Sequence, residues 1–290
     1  MVSPSQSDLP SYLSQPPLTQ YNAWGEDGQD ITQQEQRRIS NEAKALVRRT
    51  RTKEYSLITK CIAEFLGDFT FVFIGTMQAY VPNKSNDDIT HAALAHGFTI
   101  FIIVASLGHI SGGHFNPAIT WAVTAANRMP YWHLPFYFIS QLLGGFCGAL
   151  MSAAILSSSQ LTGTYAGATL LSPNNAWWEG LLSEALATYF LCHTVLMTAV
   201  DTDSNVLAPL AIGLTLSIDI FSTGAITGAS MNPARSLGPN IVGSIFINSK
   251  DLPSNFWNHH YIYWAGPLAG GTAAALIYRL FEAREDRIVP

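Results

Sequence analysis

The sequence predicts an all-α membrane protein, with six transmembrane helices and two re-entrant half-helices in an inverted repeat. Three observations carry this. Charged residues make up 12% of 290 residues while 48% are hydrophobic, a charge content well below that of soluble domains. Six apolar runs, at residues 57–80, 89–108, 131–156, 177–200, 206–221 and 259–280, approach the ~20 residues a spanning helix needs. The triplet Asn116-Pro117-Ala118 recurs as Asn232-Pro233-Ala234, each after a Gly-containing turn.

The chain opens on a polar tail, residues 1–55, rich in Ser, Pro and Gln, with no expected signal peptide and no periodicity up to about residue 30. Between residues 31 and 53, Ile39, Ala43, Leu46 and Val47 fall on one helical face, with Arg37, Arg38, Lys44, Arg48 and Arg49 on the other. This segment reads either as a partly ordered solvated tail or as a helix lying on an anionic cytoplasmic leaflet. Arg37-Arg38-Ile39-Ser40 has the form of a basic-directed phosphorylation site at Ser40.

Of the six runs, the fifth is short for a span. The two triplet segments, about 116–126 and 232–242, are too short to cross. Asn favours the helix N-cap and Pro the first helical position, so each triplet starts a short helix with its positive dipole end pointing back at the preceding loop. At membrane depth such pieces survive only where protein buries them or they line a water-filled cavity. A matching pair of them marks an inverted repeat with a site at the midplane.

The two halves agree in register. Gly97 and Gly213 each lie 19 residues before their Asn, and Gly112 and Gly228 each lie 4 before. Ala63-Glu64-Phe65-Leu66 answers Ser183-Glu184-Ala185-Leu186, and Leu142-Leu143-Gly144-Gly145 answers Leu268-Ala269-Gly270-Gly271. Three helices per half is odd, so the second half must be inserted upside down. Clustered Gly and Ala in the third and sixth runs suit close helix contact in lipid. Lys and Arg flank the first, second and sixth helices on one side, which places both termini in the cytoplasm. The fourth-to-fifth loop, with Asp201 and Asp203, weakens that rule locally. Asn83-Lys84-Ser85 is then a glycosylation sequon on the outer side.

Polar groups at membrane depth need a reason. Glu64 and Glu184, at matching places, read as buried carboxylates accepting backbone N–H groups of the triplet loops. Arg235 sits in the first turn of the second half-helix, facing the cavity, where loop carbonyls and solutes can satisfy its fork of donors. His96 lies on the second span at cavity level, as a packed residue or as part of the cavity wall. Asp219 is the one apolar-run carboxylate without an evident partner. Cys61, Cys147 and Cys192 all lie in apolar runs, as packed thiols rather than disulfides. His109 and His114 have no third ligand nearby, so no metal is expected.

With its six spans, duplicated halves and two Asn-Pro-Ala half-helices, the chain resembles the aquaporin (major intrinsic protein) family over about residues 55–280. The resemblance implies a homotetramer with one pore per subunit, the half-helices meeting head-on, and the amides of Asn116 and Asn232 each donating to a passing water. It divides the chain into a cytoplasmic tail (1–55), a channel domain (56–281, with repeats at about 56–156 and 177–280) and a short cytoplasmic C-terminus (282–290). It places the outer constriction at His96, Ile220, Ala229 and Arg235. That set, with Gly108–Ala118 and Asp219-Ile220, is similar to the ammonia- and peroxide-permeable branch, the tonoplast intrinsic proteins and their animal relatives. Ser236 after the second Asn-Pro-Ala-Arg departs from the Asp of glycerol facilitators. Asn240, where most water-type members have Ala, has no reading from sequence.

The expected function is a passive channel for water and for ammonia or hydrogen peroxide that excludes ions and protons. A water-only pore is the alternative, and a junction protein with little flux is the alternative of another class. No enzyme activity, cofactor or nucleic-acid partner is expected. The expected partners are small neutral solutes and the lipid bilayer, with the plasma membrane favoured over internal membranes.

Overall fold

The computed structural model describes residues 38, 55–80, 88–202 and 205–288, with side chains at 88 and 283–288 left out. Contacts divide the chain into two units, Met1–Glu54 and Tyr55–Pro290. Of the first, only Arg38 is described, an exposed helical residue. The rest of the segment at 31–53 lies outside the described residues, as do Ser40 and Asn83.

Among the described residues the second unit is all helix, with no strand. We number its α-helices α1 (Leu57–Met77), α2 (Asp88–Ser111), α3 (Pro117–Ala125), α4 (Leu134–Ile155), α5 (Ser158–Gly163), α6 (Trp177–Val195), α7 (Ala208–Thr227), α8 (Pro233–Phe246) and α9 (Ile262–Ile288). Six of them, α1, α2, α4, α6, α7 and α9, are the long helices that the apolar runs predict. Four stretches, Ile89–Ser111, Tyr131–Ile155, Trp177–Val200 and Ala208–Thr227, are long and apolar enough to cross a membrane by length and composition alone. The helix α1 is long enough but carries Lys60, Glu64 and Asp68, and α9 is diluted by Gly266, Pro267, Gly270, Gly271 and Arg279.

Boundaries differ from the sequence reading where hydropathy is a poor guide. The fifth span runs on to Thr227 and ends at Gly228 in the left-handed region (φ 79°), because its last turn is polar. The second half-helix runs four residues past 242, to Phe246, with Pro239 inside it. Beyond Val195 the fourth span continues as a π-helical turn, Leu196–Val200.

The packing has the symmetry of the duplicated sequence. The helix α1 packs on α4 as α6 packs on α9, and α2 meets α7 at the centre. Each half-helix packs on the third helix of the other repeat, α8 on α4 and α3 on α9. Glycine makes that exchange possible. A Cβ at Gly145 would stand 2.7 Å from the Ala234 carbonyl oxygen, and one at Gly271 would stand 2.9 Å from that of Ala118. The half-helices can therefore lie against the third helices only where no side chain intervenes.

Candidate functional site

Both half-helices start as their sequences dictate. Asn116 is the N-cap of α3, its Oδ1 accepting from Ala118 N at 2.8 Å, with Pro117 in the first turn. Asn232 caps α8 by accepting from Ala234 N at 2.9 Å and Arg235 N at 3.2 Å. The two caps then reach across to each other's loop. Asn116 Nδ2 donates to the Met231 carbonyl at 2.8 Å, and Asn232 Nδ2 donates to the Phe115 carbonyl at 2.8 Å. The positive ends of the two half-helices therefore face one another.

Each preceding loop is held by a carboxylate. Glu64 Oε1 accepts from Ser111 Oγ at 2.5 Å and His114 N at 3.1 Å, while its Oε2 accepts from Phe115 N at 2.7 Å and Gln141 Nε2 at 2.8 Å. Glu184 Oε1 accepts from Thr227 Oγ1 at 2.7 Å and Ser230 N at 2.9 Å, and its Oε2 accepts from Met231 N at 2.7 Å. Both carboxylates are fully buried, where an unmet acceptor would be costly. They hold Phe115 (φ 45°) and Met231 (φ 53°) in the left-handed region, an uncommon place for large side chains. Tyr137 Oη donates to the Ser111 carbonyl and Tyr263 Oη to that of Thr227, at 2.7 and 2.8 Å, closing each loop from the third helix.

Those four supports escaped the sequence reading, although a signal was there. Ser111 and Thr227 each stand 5 residues before their Asn, and Tyr137 and Tyr263 each stand 7 before the in-register Gly144 and Gly270. Asp68 escaped too, and it corrects the reading of Asp219 as the one carboxylate of its kind. Asp68 is completely buried one turn beyond Glu64, with Oδ1 3.4 Å from Asn232 Nδ2 and no hydrogen-bond partner for Oδ2. Asp219 is likewise buried with Oδ2 unpartnered.

Two cavities lie along α2 and α7. An inner one is lined by Ile100, Val104, Ile212 and Leu216 and by His114, Asn116 and Asn232 from the loops and caps. The other, of about 290 Å³, is lined by His96, Ile220, Arg235, Gly228, Gln78 and the segment around Tyr165. His96 and Ile100 are one turn apart on α2, as are Leu216 and Ile220 on α7, so the two cavities are successive levels of one path. The structure thus brings together His96, Ile220 and Arg235 of the four constriction candidates. Ala229 is buried in the loop before α8 with φ 46° and does not line that cavity.

Arg235 is nearly buried, and its Nη1 donates to the Gly167 carbonyl at 2.9 Å. That carbonyl is aimed by three consecutive left-handed residues, Tyr165, Ala166 and Gly167, in the connection between repeats. His96 Nδ1 lies 2.8 Å from the Ala92 carbonyl oxygen, and its Nε2 has no protein partner. Asn240, opaque in the sequence, donates from Nδ2 to the Phe256 carbonyl at 2.9 Å and so ties α8 to the segment leading into α9. Among the described residues no group of His, Cys, Asp and Glu is arranged to hold a metal, and Cys61, Cys147 and Cys192 are free thiols.

An inverted helical repeat with two half-helices capped head to head at a polar midpoint defines an integral membrane channel protein. The family model described as Major intrinsic protein matches residues 51–278, and the chain belongs to that family, the aquaporins. It is 37% identical over 231 residues to Aquaporin-8 of Rattus norvegicus, covering 79% of this chain and 83% of that one. It is 36% identical to Aquaporin TIP1-2 of Musa acuminata, covering 76% and 85%. Among solved structures, the aquaglyceroporin from Plasmodium falciparum has the same fold at a TM-score of 0.66 and 24% identity, covering 77% of this chain and 96% of that one.

Proposed function

We propose that this channel passes water together with ammonia or hydrogen peroxide, and excludes ions, protons and glycerol. The reading rests on one observation: a cavity wall that joins His96, Ile220 and Arg235 at one level, directly above the paired Asn caps. A channel selects by replacing a solute's hydration with wall contacts, so the placing of donors and apolar surface decides the ranking. Arg235 offers donors and His96, whose Nδ1–H is given to the Ala92 carbonyl, offers the acceptor Nε2, while Ile220 offers an apolar face. The buried cation and the two facing dipole ends oppose cations, ammonium included. Similarity to Aquaporin-8 and to a TIP-type aquaporin supports the same branch that the constriction residues resemble.

The assembly we propose is a homotetramer with one pore per subunit, both termini cytoplasmic, in the plasma membrane. The segment 1–55 is its cytoplasmic tail, with Ser40 as a phosphorylation site and Asn83 as an outer glycosylation site. The decisive measurement is stopped-flow on proteoliposomes with water, ammonia, peroxide and glycerol. Flux of water and of ammonia or peroxide, with glycerol no faster than in empty vesicles, is expected. Water flux alone would favour the water-only pore, and no flux of any solute would favour a junction protein.

A further inference from the structure

The two Asn caps match in the amide bond each makes across the midpoint and differ in the fate of the second amide hydrogen. Each gives one amide hydrogen to the opposing loop, Asn116 to the Met231 carbonyl and Asn232 to the Phe115 carbonyl. The second amide hydrogen of Asn116 has no partner among the described residues. That of Asn232 meets Asp68 Oδ1 at 3.4 Å. Asp68 has no true counterpart in the other repeat. The matching position, four residues after Glu184, is Thr188, whose hydroxyl is already donated to the Glu184 carbonyl at 2.6 Å. Asp68 is seated by the close approach of α1 and α4, since a Cβ at Gly144 would stand 3.0 Å from its own Cβ. The Asn232 amide is the single hydrogen-bond partner of its buried side chain among the described residues.

We propose that Asp68 is a positioning residue that withdraws the free amide hydrogen of Asn232 from the path, leaving Asn116 as the one cap asparagine that donates to a solute at the midpoint and so favouring ammonia over water. The inference rests on the solute reading above. A water molecule has two lone pairs and gains from two converging donors, whereas ammonia has one lone pair and gains from one. Passage past a one-donor midpoint therefore costs water an acceptor contact that ammonia never needed. An N–H left facing an ordinary alternative partner is worth about one net hydrogen bond.

Asp68→Thr, which installs the residue of the other repeat, is expected to free the Asn232 amide and lower the ammonia-to-water permeability ratio about fivefold, the equivalent of one net hydrogen bond. Asp68→Asn keeps a side-chain oxygen within reach and is expected to retain the native ratio. Asp68→Ser replaces Asp68→Thr should the latter fail to assemble. A readout independent of flux is the side-chain amide nitrogen resonance in asparagine-labelled protein in bilayers, where Asp68→Thr should move the Asn232 signal and leave that of Asn116. An unmoved Asn232 signal overturns the contact, and a moved signal with an unchanged ratio overturns the role in selection. Native vesicles that pass no ammonia above empty ones would refute the solute reading instead, while the amide resonances still decide the Asp68 contact.

Discussion

Glu184 and Met231 meet at 2.7 Å, carboxylate oxygen to backbone N–H, and that bond is what keeps a methionine at φ 53°. The same bond between Glu64 and Phe115 serves the other loop. A neutral amide in either place has one acceptor oxygen and turns an N–H toward a donor. Glu64→Gln and Glu184→Gln should each destabilise the fold by on the order of 3 kcal/mol, since charge-assisted bonds are lost and a buried donor is left facing donors. The check is the thermal unfolding midpoint in detergent. A midpoint unchanged in both variants would show that the loops hold their shape without the carboxylates.

Gly167 positions Arg235 through its carbonyl, and its own φ of 76° leaves little room for a side chain. A Cβ there would also stand 2.9 Å from Thr76 Cα. Gly167→Ala should therefore shift the carbonyl, loosen Arg235 and admit glycerol, and Arg235→Ala should do so directly. Both variants should keep water flux. Glycerol exclusion intact in Gly167→Ala but lost in Arg235→Ala would mean that Arg235 is held by other contacts.

How far the sequence carries this reading differs from residue to residue. Asn116 and Asn232 were legible because a cap followed by Pro is a local signal, and because it occurs twice in register. Glu64 and Glu184 were legible as a repeat. The length of α8 was not, because Pro239 and Gly243 look like a helix end, yet Asn240 bonded to Phe256 sits within a helix that continues to Phe246. Asp68 could not be found from pattern at all. Its meaning comes from an amide 164 residues away and from a glycine on α4 that lets it be buried.

Mercurial block needs a thiol at the cavity wall. Cys192 is fully buried, its Sγ 3.9 Å from the Ala118 carbonyl oxygen, and Cys61 and Cys147 are half-buried on α1 and α4. The native channel should be inhibited weakly, and Ala229→Cys, which puts a thiol in the loop just before α8, should introduce inhibition. Because Ala229 is buried and is not among the residues lining that cavity, a substituted thiol should react more slowly than an exposed one. Strong block of the native protein that disappears in Cys192→Ser would show that the path runs along α6 instead.

The last expectation concerns the constriction itself. His96 and Ile220 face one cavity from α2 and α7, with Arg235 on the same level. The His96 ring reaches over Gly75, where a Cβ would stand 2.6 Å from its Nε2, so the ring has its space because α1 has no side chain there. Exchanging the polar and apolar walls, His96→Phe with Ile220→His, keeps one aromatic over Gly75 and moves the imidazole to α7. The ring at 220 is bulkier than Ile at the wall, which narrows the opening and adds a polar group on the wall shared with Arg235. A narrower, more polar ring suits a molecule that both donates and accepts at each step, so water should lose least. Ammonia and peroxide flux should fall several-fold more than water flux, on the scale of one or two wall contacts of about 1 kcal/mol each. The measurement is the ratio of the three permeabilities in proteoliposomes of equal protein content. A double variant that conducts all three in the native proportions would show that selection lies at another level, leaving the Asn116–Asn232 midpoint as the place to look.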